Sequence, residues 1–360
     1  MVRNERSRAC GSTESWTEKG QEGLWYAQGG RKGLSPGHSS MSSARMHARP
    51  FGTTGLQVSE LGLGCARIGG IFQRDPGSFV NLLAAARDGG ITFFDTADMY
   101  SQGESETLIG RAFRHRRDQV VIASKAGYCL PAQRRWIARI KPLVRPLIRI
   151  LGIRRDRLPT TVRGALAQDF SSAYLTRAVE ASLRRLRTDY LDVLQLHSPP
   201  AEVVERGEWV DALDGLKRAG KIRFYGVSCD TLEAAHAALA FSGVSSLQLV
   251  VNLLERSAAE TIVPLARQKG VAVIARECLA NGLLVKAESE IDLKAYCGSP
   301  EQEDLRRAQL SEYREAAAAR GVPLARLAVE YATDLGGVSV ALIGVRTIDQ
   351  MTALLRDVGR

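Results

Sequence analysis

From residue 58 to residue 355, short apolar runs rich in Val, Ile, Leu and Phe alternate with amphipathic stretches of helical period. No other feature limits the fold as severely. The strand-like runs fall at 58–63, 91–94, 120–124, 191–196, 222–227, 247–251, 271–275 and 338–343. The helical stretches fall at 77–88, 105–113, 174–186, 208–219, 231–240, 258–268, 303–319, 323–334 and 347–355. Strands that are apolar on both faces are those of parallel sheets, covered above and below. Parallel strands joined through helices take right-handed crossovers, and eight such units close into a barrel more readily than they spread into an open sheet. The expected fold is therefore α/β, a (β/α)8 TIM barrel in a single domain over residues 50–360, with an insertion after strand 3 at 128–172. The rival dinucleotide-binding fold fails on its fingerprint. Gly62 and Gly64 follow the first strand, but the third glycine would be at position 67, where Arg67 stands.

In a barrel of this kind, residues at the C-terminal ends of the strands face the catalytic mouth. The run Ile91-Thr92-Phe93-Phe94 ends on Asp95, the run from Val120 to Ser124 ends on Lys125, and the run from Leu191 to Leu196 ends on His197. Three successive strands thus deliver a carboxylate, an ammonium and an imidazole to one rim, and Tyr100 lies on the first loop. Any one of these alone is most often structural; the four in this order point to a site.

The segments carrying these residues, DTADMY, the Ser124-Lys125 pair and LQLHSP, resemble the signature segments of the aldo-keto reductases. The resemblance runs from about Phe51 to Met351 and includes SLRRLRTDYLDVLQLH, GKIRFYGVS, Gln248 to Asn252 and a closing IGVRTIDQ. It implies a catalytic tetrad of Asp95, Tyr100, Lys125 and His197. The chemistry of carbonyl reduction agrees, since hydride transfer needs a proton donor for the developing alkoxide. A tyrosine, with a pKa about 10, is a poor acid without help. An ammonium beside it stabilises tyrosinate, and a carboxylate holds the ammonium in place; Lys125 and Asp95 suit those roles. His197 would turn a ring N–H toward the carbonyl oxygen.

No side chain donates hydride, so the cofactor comes from outside. The resemblance implies a nicotinamide dinucleotide, with Ser228 and Gln248 holding the carboxamide. Cys229 stands where the family usually has Asn, which removes one amide from that grip. Arg276 stands where an aromatic residue often stacks on the nicotinamide, and a guanidinium can stack in its place. Glu277 follows, where a serine commonly contacts pyrophosphate, and is expected to turn away. Leu279, Ala280, Asn281 and Gly282 match the loop whose backbone holds pyrophosphate. Gly344, Arg346, Thr347 and Gln350 match the adenosine end, with Leu354 in place of the family's Asn. Arg346 is placed for a 2′-phosphate, which favours NADP(H), with NAD(H) as the alternative; a surface arginine at a helix start is the plainer reading.

Charge bears on partners. Of the net +10, residues 1–49 hold 8 Lys/Arg against 4 acids and residues 134–163 hold 10 against 1, which leaves the rest at −3. A basic nucleic-acid face on the barrel is not supported. No apolar run approaches the roughly 18 residues of a membrane span, so no stable membrane insertion is expected and the protein is read as cytoplasmic. Residues 1–49 have no periodicity and no signal-peptide core, and read as a disordered extension or a mis-assigned start, with Met41 an alternative beginning. The chain ends at Arg360, before the C-terminal loop that shapes the substrate pocket in many relatives. The basic segment 134–163 reads as an amphipathic cover, a substrate lid or, with Pro142 and Pro146 against it, a membrane-surface helix. Six cysteines without CxxC indicate neither a zinc site nor a disulfide framework; they read as reduced thiols, four of them beside the rim and open to redox sensitivity. The reading is an NADP(H)-dependent oxidoreductase interconverting an aldehyde or ketone and its alcohol. Its alternatives are a sugar or alcohol dehydrogenase, a nucleotide-linked keto-sugar reductase, or a nucleotide-binding regulatory subunit with vestigial catalysis.

Overall fold

The computed structural model describes residues 46–69, 75–129 and 167–359. The expectations for the first 45 residues and for 134–163 fall outside the described residues. A small antiparallel hairpin comes first, β1 (Ala48–Pro50) with β2 (Gln57–Ser59). Eight parallel strands then close a barrel: β3 (Leu61–Gly64), β4 (Phe93–Asp95), β5 (Val121–Ala126), β6 (Leu191–His197), β7 (Ile222–Ser228), β8 (Val244–Val250), β9 (Ala272–Arg276) and β10 (Val338–Ile343), with β10 pairing back onto β3. The helices between them are α1 (Pro76–Asp88), α2 (Glu104–Phe113), α3 (Ser172–Leu186), α4 (Ala201–Arg206), α5 (Val210–Arg218), α6 (Leu232–Ala238), α7 (Ser257–Gln268), α8 (Pro300–Ala319), α9 (Leu324–Asp334) and α10 (Ile348–Asp357). The (β/α)8 expectation holds.

Three of the differences from the expected boundaries have a local reason. The first strand expected at 58–63 is two strands. Gln57–Ser59 pairs with the hairpin, and the chain changes sheets at Glu60, whose buried carboxylate pairs with Arg49 at 3.0 Å. The extension expected over 1–49 therefore stops short, because Ala48 and Arg49 already belong to β1. The helix expected at 208–219 is preceded by another, α4, which ends at Gly207 in the left-handed region (φ +68°), with Trp209 buried behind it.

Two apolar layers follow from strand alternation. Outward-facing residues such as Ile122, Leu194 and Leu196 pack under the helices, while Phe93, Ala123, Val193, Ala272, Ile274, Val340 and Leu342 fill the barrel. The hairpin plugs the floor: Phe51 is fully buried, with its ring 5.6 Å from that of Phe93. Gly52 makes this possible, because its φ is +55° and a Cβ there would come within 2.5 Å of Gly270 O. With the floor sealed by hydrocarbon, the inward positions further along the strands are left for polar groups.

Among the described residues, no helix is long and apolar enough to cross a membrane and no His/Cys/Asp/Glu group could hold a metal ion.

Candidate active site

Inward alternation carries Phe93 to Asp95 on β4, Ala123 to Lys125 on β5 and Val193 through Gln195 to His197 on β6. The register of adjacent strands brings their ends together. Lys125 Nζ donates to Asp95 Oδ1 at 2.8 Å and Oδ2 at 2.6 Å, to Thr96 O at 2.9 Å and to Tyr100 OH at 3.3 Å. An ammonium has three protons, and carboxylate, carbonyl and phenol account for them. Both ends of the ion pair are buried. Burial alone would depress the Lys125 pKa, and is the largest influence on it, yet the Asp95 charge and the hydrogen bonds together raise it.

Tyr100 differs from the expectation that the ammonium would make it a stronger acid. Burial raises the phenol above its ordinary value, and the pull of Lys125 in the other direction only partly offsets this. The phenol is therefore firmly protonated. His197 meets Tyr100 edge-on, ring centroids 5.7 Å apart, and Tyr128 likewise at 4.8 Å. Burial, followed by the charges of Lys125 and Arg276, pushes its pKa down to about 2. Its imidazole is neutral at any ordinary pH, and Nδ1 has no hydrogen-bond partner among the described residues.

The strand ends are followed by strained turns. Ser101 and Gln102 after Tyr100, Ser198 after His197 and Glu277 after Arg276 all have φ between +50° and +58° without being glycine. Such backbone persists only where surrounding contacts over-determine it. Here Ser198 N donates to Ser228 O at 2.9 Å, and Gln168 Nε2 donates to Ser198 O at 2.8 Å and to His197 O at 3.2 Å. Gln168 also pairs with Tyr128 across a short antiparallel bridge, supported by Cys129 N to Ala167 O at 2.7 Å and Asp169 N to Gly127 O at 2.8 Å. The two stems of the segment after β5 therefore meet beside His197.

Of the residues expected to hold a cofactor, Ser228 and Gln248 face each other from β7 and β8, Ser228 Oγ donating to Gln248 Oε1 at 3.1 Å. Gln248 also donates from Nε2 to Asp95 Oδ1 at 2.7 Å. Cys229 is buried, and burial pushes its thiol up to about 12; Cys278 behaves likewise and the Cys65 thiol is also raised. These three are not reactive thiolates, so the sequence's allowance for redox sensitivity at the rim does not extend to them.

Arg276 ends β9 with its guanidinium on Asp230 Oδ1 and Glu277 Oε1, both at 2.6 Å, and on Cys229 O at 3.3 Å. The other oxygen of Glu277 accepts from Asn281 Nδ2 at 2.8 Å, so its charge is held between a guanidinium and an amide. Leu279 precedes the single turn Ala280–Gly282, in which Asn281 has φ +55° and Gly282 φ +105°. Gly344 is exposed, with open space where a Cβ would lie. Thr347 caps α10 through Gln350 N at 3.0 Å, Gln350 Oε1 accepts from Arg346 N at 2.9 Å, and the Arg346 side chain is exposed. Ser228 and Gln248 thus join the tetrad inside the barrel, whereas Gly344 to Gln350 form a separate exposed helix start. Gln195, Asp230 and Tyr128 were not anticipated. The period-two run Val193, Gln195, His197 held a signal for the first; the other two lie in loops without one.

A model described as the aldo/keto reductase family matches residues 60–358. The aldo-keto reductase YhdN of Bacillus subtilis (strain 168) is 29% identical over 320 residues, covering 85% of this chain and 87% of its own. An aldo-keto reductase from Bacillus halodurans, solved in its holo form, superposes with a TM-score of 0.68 at 29% identity, covering 87% of this chain and 91% of its own. A glycerol dehydrogenase from Gluconobacter oxydans gives a TM-score of 0.67 at 26% identity, covering 88% and 90%.

Proposed function

The chain belongs to the aldo/keto reductase family, and from that premise we propose that it is an NADP(H)-dependent oxidoreductase interconverting an aldehyde or ketone and its alcohol, with Tyr100 giving the proton to the substrate oxygen. The observation that carries this reading is the four-way contact of Lys125 with Asp95, Thr96 and Tyr100. An ammonium held by a carboxylate and a carbonyl cannot wander, so its attraction for the Tyr100 oxygen is pre-paid and grows as that oxygen gains charge. His197, depressed to about 2, has no proton to give near neutrality and serves as a neutral hydrogen-bonding group that orients the carbonyl.

The residues present fit a nicotinamide dinucleotide. Ser228 and Gln248 offer a buried hydroxyl and amide beside the tetrad, and Arg276 Nε is a buried donor with no partner among the described residues. The turn at Ala280–Gly282 supplies backbone for pyrophosphate, and Gly344, Arg346, Thr347 and Gln350 the adenosine end. When bound, the nicotinamide supplies the hydride.

The test is turnover of a panel of aldehydes and ketones with NADPH and NADH, and of simple polyols in reverse, since one structural relative is named for glycerol oxidation. A protein that quenches NADPH fluorescence on binding yet turns over none of the panel in either direction would overturn the reading. Within it, Arg346→Ala should weaken NADPH by about 1.5–3 kcal/mol and leave NADH nearly unchanged, as the loss of a charge-assisted bond would. Equal weakening of both would make Arg346 a surface residue only.

A further inference from the structure

Asp95 is held by more than its ion pair. Besides Lys125, its Oδ1 receives Gln248 Nε2 at 2.7 Å, and Gln195 Nε2 stands further off at 3.5 Å. A carboxylate only accepts, so the Gln248 atom facing it is the NH2 group, and the amide oxygen is thereby turned toward β7. There it meets Ser228 Oγ at 3.1 Å. An amide oxygen also only accepts, so the hydroxyl proton of Ser228 is committed to Gln248. The polarity of these side chains is set in sequence from Asp95, and Ser228 keeps only lone pairs for a group approaching from the mouth. All three residues are buried, where hydrogen bonds are strong and an unmet donor or acceptor is costly.

We propose that Gln248 is a positioning residue that joins the nicotinamide site to the proton donor. One end of its amide clamps Asp95, and with it the contact between Lys125 and Tyr100; the other orients Ser228 as an acceptor for an amide N–H. This rests on the reading of Tyr100 as proton donor and of Ser228 as a nicotinamide contact. The clamp matters because Asp95 and Tyr100 compete for one ammonium. Lys125 Nζ lies 2.6–2.8 Å from the carboxylate but 3.3 Å from the phenol, the longest of its contacts. A carboxylate that loses its amide donor leans harder on Lys125, and the phenol contact is the one to loosen. The charged groups that face Tyr100 are Lys125 from β5, Asp95 from β4 and Arg276 from β9, with the neutral His197 of β6 edge-on. Gln195 Nε2, at 3.5 Å, is a much weaker donor to Asp95 than Gln248 at 2.7 Å.

The test uses the full chain labelled with isotopic tyrosine and free of cofactor, with the Tyr100 ring resonance assigned by its absence in Tyr100→Phe. In Gln248→Met the Tyr100 resonance should move at neutral pH, and its ionisation should be delayed by about half a pH unit or more, as expected when an ammonium's pull weakens. With cofactor and a carbonyl substrate present, the alkaline limb of kcat should move the same way, and kcat should fall more than KM rises. If Gln248→Met does not fold, Gln248→Asn carries the same readout, since it keeps an amide one methylene short of Asp95. An unmoved Tyr100 resonance, with only NADPH affinity lost, would reduce Gln248 to a cofactor contact and overturn the proposal. Undiminished turnover in Tyr100→Phe would instead sink the underlying assignment of the proton donor, whatever Gln248 does.

Discussion

Lys125 and Arg276 each bring a positive charge to the mouth of the barrel, from β5 and β9, and they are held in opposite ways. The Lys125 side chain is 1% exposed and its partner Asp95 6%, and they meet from adjacent strands of the barrel. Arg276 is 21% exposed, and its partners Asp230 and Glu277 are 57% and 36% exposed, supplied by loops that each follow a strand end. A buried pair that loses one partner leaves an uncompensated charge, whereas a pair open to water is worth little because solvent replaces it. The interior cation is therefore a fixed part of the fold, and the rim cation can exchange partners at small cost. Under the proposed function, the group that must keep one geometry is Lys125, and the one that would bind reversibly is Arg276.

The sharpest way to break this contrast is Lys125→Met, which strands the Asp95 carboxylate. It should cost about 3–5 kcal/mol of stability and abolish turnover. A denaturation midpoint close to wild type would mean that the pair is better solvated than its burial implies. Tyr100→Phe removes the phenolic hydroxyl and with it the proposed proton donor, and should lower the reduction rate by about 10²–10⁴-fold with NADPH affinity nearly unchanged. A variant retaining more than half the turnover would refute the donor role.

His197 offers a test through pH. Its imidazole is neutral in the fold down to about 2, while the unfolded chain takes up a proton below the ordinary 6.5. Stability from this group is thus complete above pH 6.5 and is lost as pH falls toward the folded value. Denaturation at pH 7 and pH 5 should show a loss of about 2 kcal/mol in wild type that is largely absent in His197→Gln, at about 1.4 kcal/mol per unit. The same loss in both proteins would place the acid sensitivity elsewhere. Smallest of all, Asp230→Ala on the rim should change stability by less than about 1 kcal/mol. A loss as large as that of Lys125→Met would erase the distinction between the two cations.

The same contrast explains what could be read from the chain. Asp95, Lys125 and His197 announce themselves because each interrupts an apolar run at a strand end, where topology leaves only the mouth for them to face. The fold was legible for a related reason, since eight repeats of one alternation leave few closures. The partners of Glu277, Arg276 beside it and Asn281 one turn on, could not be read from the chain because they depend on a positive φ that no periodicity encodes. The pairing of Gln248 with Asp95 spans 153 residues and depends on barrel closure, so the resemblance could assign Gln248 to a cofactor but could not pair it with Asp95. The raised Tyr100 likewise depends on burial, which composition does not reveal.

The bridge between Tyr128 and Gln168 has a consequence for the path of the chain. Its backbone bonds, with Tyr174 OH donating to Tyr128 O at 2.8 Å, tie the two posts to the barrel. The mount therefore fixes where the chain leaves the barrel and where it re-enters, and both places lie beside His197.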